Sequence, residues 1–324
     1  MKQNYVLQLK ADMEFMDFFM VKTIAIRVGS NRKKYLDMTL ADCTGEISAK
    51  KWDISDEELD GINRIQVGDI IKVKAGVTEW KGTKQLRVTR IRHANRDDGL
   101  VPADFYKSAP EDSESMYNYI VGKIREFQDE ELKQLCLTIY EENREKLMYY
   151  PAAMSNHHAE YGGLLYHVKR MMMMGEQACT VYTNLSKDLL LAGVVLHDIE
   201  KLNEILSDTH GVSPGYSFEG QMLGHLVQGV TLIHDRCREL GIGTEKTILL
   251  EHMILSHHYE PEFGSPRKPL FPEAEMLHYL DIVDAKMFDM EESLSKVEPG
   301  EFGERYGLWI IGNCTDGNFR VREK

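Results

Sequence analysis

Imidazole and carboxylate side chains recur in the second half of this 324-residue sequence, where they could converge on metal ions. Ten of the twelve histidines lie between residues 157 and 258. In the stretch LLLAGVVLHDIEKL (189–202), an apolar run is followed by the adjacent pair His197 and Asp198. Burying ionisable groups costs several kcal/mol unless something pairs with them, so this run needs a partner. A metal ion is the leading candidate.

Histidine and aspartate without cysteine thiolates form a ligand set that suits Mn, Fe, Zn, Ni or Co. A carboxylate beside a histidine, such as Asp198, can bridge two ions. Two ions would activate a water molecule and neutralise the charge of a phosphodiester, so the pattern indicates metal-assisted phosphoester hydrolysis. The candidate metal ligands are His167, His197, Asp198, His225, His257, His258 and Asp281.

Any single histidine would more often be structural than a ligand, and only the joint pattern favours a metal site. We therefore interpret His234, His252 and His278 as structural residues. Asp284 is interpreted as a residue that orients a ligand.

Two residues are candidates for catalytic roles. Asp198 would hold the metal-bound nucleophile between the two ions. Lys201 follows it by three positions and so lies on the same helix face, available to hold a phosphate oxygen.

The elements that must position these residues are helices. Apolar spacing of three and four after residue 112 predicts helices at roughly 113–127, 129–148, 163–182, 186–202, 218–240, 244–258 and 272–295. The second half of the chain is therefore predicted to be an all-α domain.

The first hundred residues follow a different pattern, of short strands separated by turns. Five strands are predicted at 21–28, 35–42, 46–52, 69–77 and 84–92. A short helix is predicted within SDEELDGINRI (55–65), after the third strand. Five strands with one helix after the third is the order of an OB-fold β-barrel.

These patterns predict a multidomain α and β protein. We expect an OB-fold domain over residues 1–95, an interdomain linker over 96–115 and the all-α domain over 116–300. The linker is predicted from its two prolines and mixed charge without periodicity. Residues 301–324 form a C-terminal tail, a candidate for homo-oligomer or interdomain contacts.

Charge is distributed unevenly along the chain. The net charge of −13 would argue against a nucleic-acid partner, because phosphate contacts dominate such binding. Residues 1–100, however, carry 18 Lys and Arg against 15 Asp and Glu, whereas the remainder carries 21 against 37, so the basic groups are concentrated at one end of the chain.

Five scattered cysteines without a CxxC pair suggest neither disulfides nor a thiolate zinc site. Without a signal peptide or an apolar run of membrane-spanning length, we expect a cytoplasmic protein with no membrane partner.

The OB-fold contributes candidate nucleic-acid contacts in two loops, because OB-folds bind oligonucleotides on the barrel face and through loops 1–2 and 4–5. Cations beside an aromatic side chain are what a sequence-tolerant single-strand binder needs. Trp52 is interpreted as a packing residue. The loop candidates are Arg32, Lys33, Lys34, Trp80, Lys81 and Lys84.

The order H, HD, H, HH, D over helices resembles the HD-domain superfamily of metal-dependent phosphohydrolases. The segments that carry the resemblance are NHHAEYGGLLYHV, LLLAGVVLHDIEK, GHL, ILSHH and LHYLDIVDAK. With an OB-fold in front, the whole chain resembles the YhaM-type 3′-to-5′ exoribonucleases. The resemblance implies one metal ion held by His167, His197, Asp198 and Asp281. It implies a second held by His225, His257 and His258, with Asp198 shared.

His157 and His158 match the family's HHA segment, and the resemblance implies a substrate role for them, with N-capping or loop packing as the alternative. One position departs from the family, because Glu200 stands where HDIGK has glycine. A glutamate there could crowd the entrance, repel phosphate or supply an oxygen ligand.

The function expected from all of this is a metal-dependent exoribonuclease that releases nucleoside monophosphates from the 3′ end of single-stranded RNA, and also of single-stranded DNA. Its cofactors would be two divalent ions, Mn²⁺ before Co²⁺, Fe²⁺, Ni²⁺ or Zn²⁺. Two alternatives stay open: an HD-type phosphohydrolase of small nucleotides, and a nucleic-acid-binding protein with an inactive HD site.

Overall fold

The structure, a computed structural model, describes residues 2–29, 33–52, 54, 56–80, 82–154 and 157–294. At residues 56, 57, 60, 80 and 96 the backbone is described but the side chain is not. The chain divides into two compact units, residues 1–108 and 109–324.

The first unit is built around a closed five-stranded barrel with the strand order β1-β2-β3-β5-β4. Strands β3 and β5 pair in parallel, and the other neighbours pair antiparallel. The barrel and its helix confirm the predicted OB-fold. The elements are β1 (Glu14–Val28), β2 (Lys34–Asp42), β3 (Gly45–Lys51), α1 (Asp56–Ile62), β4 (Ile70–Trp80) and β5 (Thr83–His93).

Strand β1 begins seven residues before the predicted start because both of its faces are apolar. Phe15 and Phe19 point into the barrel core, whereas Phe18 and Met20 pack outside it. The apolar run from Phe18 to Val21 lacks the alternation that predicts a half-buried strand.

The segment predicted as a linker differs from that prediction over most of its length. Phe105 and Tyr106 are buried against Phe18 and Met20 on the outside of the barrel, and the Tyr5 hydroxyl donates to Asp104 at 2.6 Å. Residues 96–108 therefore belong to the first unit, and the next helix already begins at Ser113. The two aromatic side chains make the difference, because burying them stabilises the segment on the barrel.

In the residues that the structure describes, the second unit is helical, as predicted, apart from one two-stranded hairpin. Its helices pack around a single large apolar core. The elements are α2 (Ser113–Arg125), α3 (Glu130–Glu142), α4 (Arg144–Leu147), α5 (Gly163–Val181), α6 (Lys187–Leu196), α7 (Lys201–Glu204), β6 (Ile205–Leu206), β7 (Gly215–Tyr216), α8 (Phe218–Leu240), α9 (Thr244–Ser256) and α10 (Pro272–Leu294).

Four cysteines lie in the described part of the chain, and all four are free thiols. None of the helices described there combines the length and hydropathy needed to cross a bilayer.

Candidate metal centre

Helix α6 carries the histidine–aspartate pair into the middle of the helical unit. Every residue from Leu189 to Leu196 is buried, so this helix is apolar on all sides. A helix of that kind belongs in the core and not at a surface. His197 caps its carboxyl end and Asp198 follows, both almost fully buried.

The Asp198 carboxylate lies at the centre of four imidazole rings. Its oxygens are 3.2 Å from Nε2 of His197 and 3.4 Å from Nε2 of His225. The Nε2 atoms of His167 and His257 each lie 3.8 Å from it. Four helices thus bring one ring nitrogen each toward the same carboxylate.

The other ring nitrogen, Nδ1, has an oxygen acceptor in every histidine of this cluster. A carbonyl or ionised carboxylate cannot donate, so each Nδ1 carries a proton, and in a neutral ring Nε2 then presents the lone pair. Burial would lower the pKa of His167, but hydrogen bonds to Asp281 and Asp284 raise it to about 9 on balance, so without a metal this ring is cationic at pH 7. The Nδ1 acceptors are Asp284 for His167 (2.7 Å), Val194 O for His197 (2.9 Å), Glu204 for His225 (2.9 Å), Ile254 O for His257 (2.8 Å) and Phe263 O for His258 (2.7 Å).

Several of these inward-facing atoms are buried without a hydrogen-bond partner among the described residues. They include Nε2 of His197, His225 and His257, and Oδ1 of Asp198. An unsatisfied buried polar atom costs about 1 to 3 kcal/mol. Several such atoms turned toward one point fit a cation, and their donor chemistry is that of a transition-metal site.

The ligand atoms fall into overlapping groups whose members lie within 4.8 Å of one another. One group joins His167, His197 and Asp198, and another joins Asp198 to His225, His257 and His258. A third links Asp281 to His197 and His257. All seven candidate ligands predicted from the sequence are therefore brought together, with Asp198 common to two groups.

Burial sets the charge of two of these rings. It lowers the pKa of His257 well below its ordinary value, and the neighbouring histidines lower it further. Burial and the nearby His225 likewise lower the pKa of His258. Both rings are therefore neutral at pH 7, the form in which imidazole binds a metal.

Helix α8 breaks directly before His225. Gly224 has φ 69° and ψ 160°, a backbone conformation available to glycine but strained for other residues. Beyond this break, the His225 amide and Nδ1 both donate to the carboxylate of Glu204, at 3.1 and 2.9 Å. Burial would raise the pKa of Glu204, but these bonds from His225 lower it on balance. Sequence reasoning missed Glu204, whose only sequence signal is its place one turn after Lys201.

Lys201 is buried beside the cluster. Its ammonium lies 2.6 Å from Oδ2 of Asp198. Burial alone would lower the pKa of Lys201, but the charge of Asp198 raises it on balance, so the side chain stays cationic. The geometry agrees with its predicted place beside Asp198.

His157 and His158 separate in the structure. His157 is half-buried and lines the cavity beside the cluster. His158 is 0% exposed, and its Nε2 lies 2.7 Å from Oδ2 of Asp284. The prediction of a substrate contact is therefore wrong for His158. Its ring instead supports Asp284, which in turn holds His167 as predicted.

Glu200 joins neither the ligand groups nor the lining of the cavity beside them. Its carboxylate accepts a hydrogen bond from the side-chain amide of Asn203 at 2.8 Å. Its backbone has φ −76°, which any residue adopts. The position therefore tolerates glutamate, and the structure places none of the expected obstruction there.

The three histidines interpreted as structural belong to none of the ligand groups. His234 pairs with Glu251 at 2.9 Å, and His252 accepts from the Leu270 amide. His278 donates to the carbonyl of His257. The last contact fixes the backbone of a candidate ligand.

A cavity of about 590 Å³ opens beside the cluster. Lys201, His225, His258 and Asp281 line it, so candidate ligands and solvent-accessible space meet there. This volume is within the range of small-ligand sites, about 300 to 1,000 Å³.

In the first unit, half of the predicted nucleic-acid contacts fall outside the described structure. Arg32 and Lys81 lie outside the described residues, as does the side chain of Trp80. Lys33 and Lys34 are exposed, and the exposed Lys84 donates to the Leu9 carbonyl at 2.7 Å.

Trp52 packs as expected, but only in part. Its ring stacks on Tyr35 with 4.4 Å between centroids, yet 43% of the residue is exposed. It lines a cavity of about 290 Å³ with Lys50 and Arg87. Exposed aromatic and cationic side chains thus share one part of the barrel surface.

A closed OB barrel followed by a helical histidine–aspartate centre defines a class, the HD-domain phosphohydrolases with an N-terminal OB-fold domain. Two domain-family models match the sequence of this chain: the OB-fold nucleic acid binding domain at residues 20–94 and the HD domain at residues 164–286. HD domains are metal-dependent, in agreement with the ligand cluster.

A relative matches almost the whole chain. The 3′-5′ exoribonuclease YhaM of Geobacillus sp. (strain WCH70) is 38% identical over 289 residues, 89% of this chain and 87% of the relative. The chain belongs to the YhaM exoribonuclease family.

Solved structures match the OB part of the chain. The second OB-fold domain of replication protein A from Methanococcus maripaludis is 17% identical and covers 30% of this chain and 97% of its own, with a TM-score of 0.24. The replication factor A related protein from Methanobacterium thermoautotrophicum is 20% identical and covers 31% and 96%, with a TM-score of 0.25. Similarities this low carry no argument about function.

Proposed function

We propose that this protein is a metal-dependent 3′-to-5′ exoribonuclease that releases nucleoside monophosphates from single-stranded RNA. The observation that carries the proposal is the set of five imidazoles whose Nδ1 atoms are all engaged, four of them with Nε2 within 3.8 Å of Asp198. Direction and substrate are taken from the related Geobacillus enzyme, named a 3′-5′ exoribonuclease.

The ligand groups support two divalent ions, with Mn²⁺ our first choice. His167, His197, Asp198 and Asp281 would hold one, and His225, His257 and His258 would hold the other with Asp198 shared. Bound ions of this kind activate water and neutralise phosphodiester charge. Lys201, already cationic, would hold a phosphate oxygen once substrate enters the cavity, and the Nδ1 acceptors keep every ligand ring in place.

The OB domain would hold the RNA strand. Exposed Lys33 and Lys34, and the stacked pair Tyr35 and Trp52, supply cations and a ring face on one domain. Such a combination binds single strands with little sequence preference. Single-stranded DNA as a second substrate, and a cytoplasmic location, belong to the same proposal.

The test is the fate of labelled RNA. Purified protein with Mn²⁺ is incubated with a 20-mer RNA labelled at its 5′ end, and in parallel with the same RNA labelled at its 3′ end. We expect a descending ladder from the first and immediate release of a labelled mononucleotide from the second. EDTA should abolish both.

Other outcomes contradict the proposal. Turnover of mononucleotides without RNA cleavage would favour a small-nucleotide phosphohydrolase. A shifted but intact RNA band would favour a binding protein with an inactive HD site.

A further inference from the structure

Two exposed aromatic side chains line the cavity beside the metal centre. Phe263 is 70% exposed and Tyr216 is 44% exposed, and both belong to the same 590 Å³ cavity as Lys201. Neither ring contacts another aromatic ring among the described residues. Exposed apolar surface that rims a polar site is typical of a ligand-binding surface.

Phe263 is fixed to the centre through its backbone. Its carbonyl accepts the Nδ1 proton of His258 at 2.7 Å, and its amide donates to the Glu260 carbonyl at 3.0 Å. It ends a 3₁₀ turn that begins at Pro261 and is followed by Gly264 at φ 98°. A proline and a tight turn leave this backbone little freedom, so the ring is held beside a candidate ligand.

Tyr216 is fixed to the other side of the same centre. It pairs with Ile205 across the hairpin of β6 and β7. The next residue, Ser217, donates to the carbonyl of Glu204 at 2.9 Å, and Glu204 holds His225. Both aromatic residues are thus joined by backbone hydrogen bonds to the groups that orient the metal ligands.

Part of the remaining lining suits a nucleotide, although the carboxylates of Glu204, Asp281 and Asp289 also line the cavity. Ile282 and Ala285 supply an apolar wall, and Lys286 adds a second cation to Lys201. A nucleotide carries an aromatic base and an anionic phosphate, which match the rings and the cations respectively. Every base has a π-face, so stacking accepts all four bases.

We propose that Phe263 and Tyr216 form a base-stacking site for the 3′-terminal nucleotides of the RNA, which positions the scissile phosphodiester at the metal centre. This inference rests on the proposed exoribonuclease function. It predicts that the enzyme prefers RNA with a 3′-terminal base over RNA without one, and that all four bases are accepted.

The first experiment compares two substrates, a 20-mer RNA and the same RNA with an abasic 3′-terminal nucleotide. A stacked base contributes about 1 to 3 kcal/mol, which is a factor of about 5 to 150. We expect wild-type kcat/KM to be higher for the intact RNA by such a factor. Phe263→Leu keeps an apolar side chain but removes the ring, and should lower kcat/KM far more for the intact RNA than for the abasic RNA, so that most of the preference is lost. Phe263→Trp should restore it.

The control is Tyr182→Ala, which removes an exposed tyrosine that does not line the cavity. It should leave both substrates unchanged, whereas Tyr216→Ala should reduce the preference. Equal wild-type rates on the two RNAs would overturn the inference. So would an equal loss on both substrates in Phe263→Leu, since that would indicate damage to the centre.

A second readout separates this inference from the proposed function. Stacking quenches 2-aminopurine, so an RNA with that base at its 3′ end should lose fluorescence on binding wild-type protein but not Phe263→Leu. Quenching without cleavage would retain the stacking site and refute the exoribonuclease. Cleavage without quenching would retain the exoribonuclease and refute the stacking site.

Discussion

Removing the charge of Glu204 should weaken one of the two proposed metal-binding steps and leave the other unchanged. Glu204 accepts two hydrogen bonds from His225, from Nδ1 at 2.9 Å and from the backbone amide at 3.1 Å. His225 belongs only to the ligand group of Asp198, His257 and His258. A change at Glu204 should therefore affect only the ion that Asp198, His225, His257 and His258 would hold.

The magnitude follows from the type of hydrogen bond. A bond to a charged group contributes about 1.5 to 3 kcal/mol, or a factor of about 10 to 150 in affinity. Loss of a ligand's supporting carboxylate typically costs about 10- to 100-fold in metal affinity. We expect Glu204→Gln to weaken the affected step about tenfold, because an acceptor is retained, and Glu204→Ala to weaken it about a hundredfold.

The chain supplies a matched control four residues earlier. Glu200 is buried and Glu204 is half-buried, but the Glu200 carboxylate bonds to Asn203 and not to a candidate ligand. Glu200→Gln should leave both binding steps within about twofold of wild type. Metal-free protein titrated with Mn²⁺ in a calorimeter gives the two affinities directly.

Two results would refute this reasoning. An unchanged titration of Glu204→Ala would show that His225 does not depend on Glu204. Equal weakening in Glu200→Gln and Glu204→Gln would show that buried charge in this segment matters in general, and not the contact with His225.

Three further predictions follow from the same geometry. Asp198→Ala should lower turnover by several orders of magnitude with an unchanged far-UV spectrum, because its carboxylate is the common member of two ligand groups; turnover within about tenfold of wild type at equal metal occupancy would refute the two-ion assignment. Replacing Lys33 and Lys34 together by alanine should reduce the slope of log affinity against log salt by about 1.4 for a long RNA, about 0.7 per lost phosphate contact, and an unchanged slope would exclude both contacts. Burial lowers the pKa of His158 from 6.5 to about 4 despite the bond to Asp284. As pH falls, His158 is therefore protonated in the unfolded chain before it is protonated in the folded protein. The contribution of neutral His158 to stability is therefore present above pH 6.5 and lost toward pH 4, and His158→Asn should flatten the fall of the metal-free Tm in that window.

The order of the elements and the identity of the cluster could be predicted from the sequence. Helix periodicity located the helices of the second unit, and the turn chemistry of the first unit located five strands in OB order. The seven candidate ligands converge because each stands at the end or on the inner face of a helix with a clear apolar pattern. Periodicity records which face of an element is buried, and these residues lie on such faces.

The residues that support the cluster could not be predicted in this way. Glu204 reaches His225 only because the chain reverses through a hairpin and α8 breaks at Gly224. His158 and Asp284 are 126 positions apart and meet inside the core. Their sequence neighbourhoods record neither contact, since each partner comes from a distant element.

Exposure, too, was decided by tertiary structure. Trp52 was expected to be a packing residue and is 43% exposed, whereas His158 was expected at the substrate and is enclosed. Phe105 and Tyr106 close on the barrel although their segment resembles a linker in composition. The sequence determined which groups could bind metal, because ligand chemistry belongs to residue types. Only the packing of distant elements determined which groups face one another, because burial and hydrogen-bond partners belong to the folded chain.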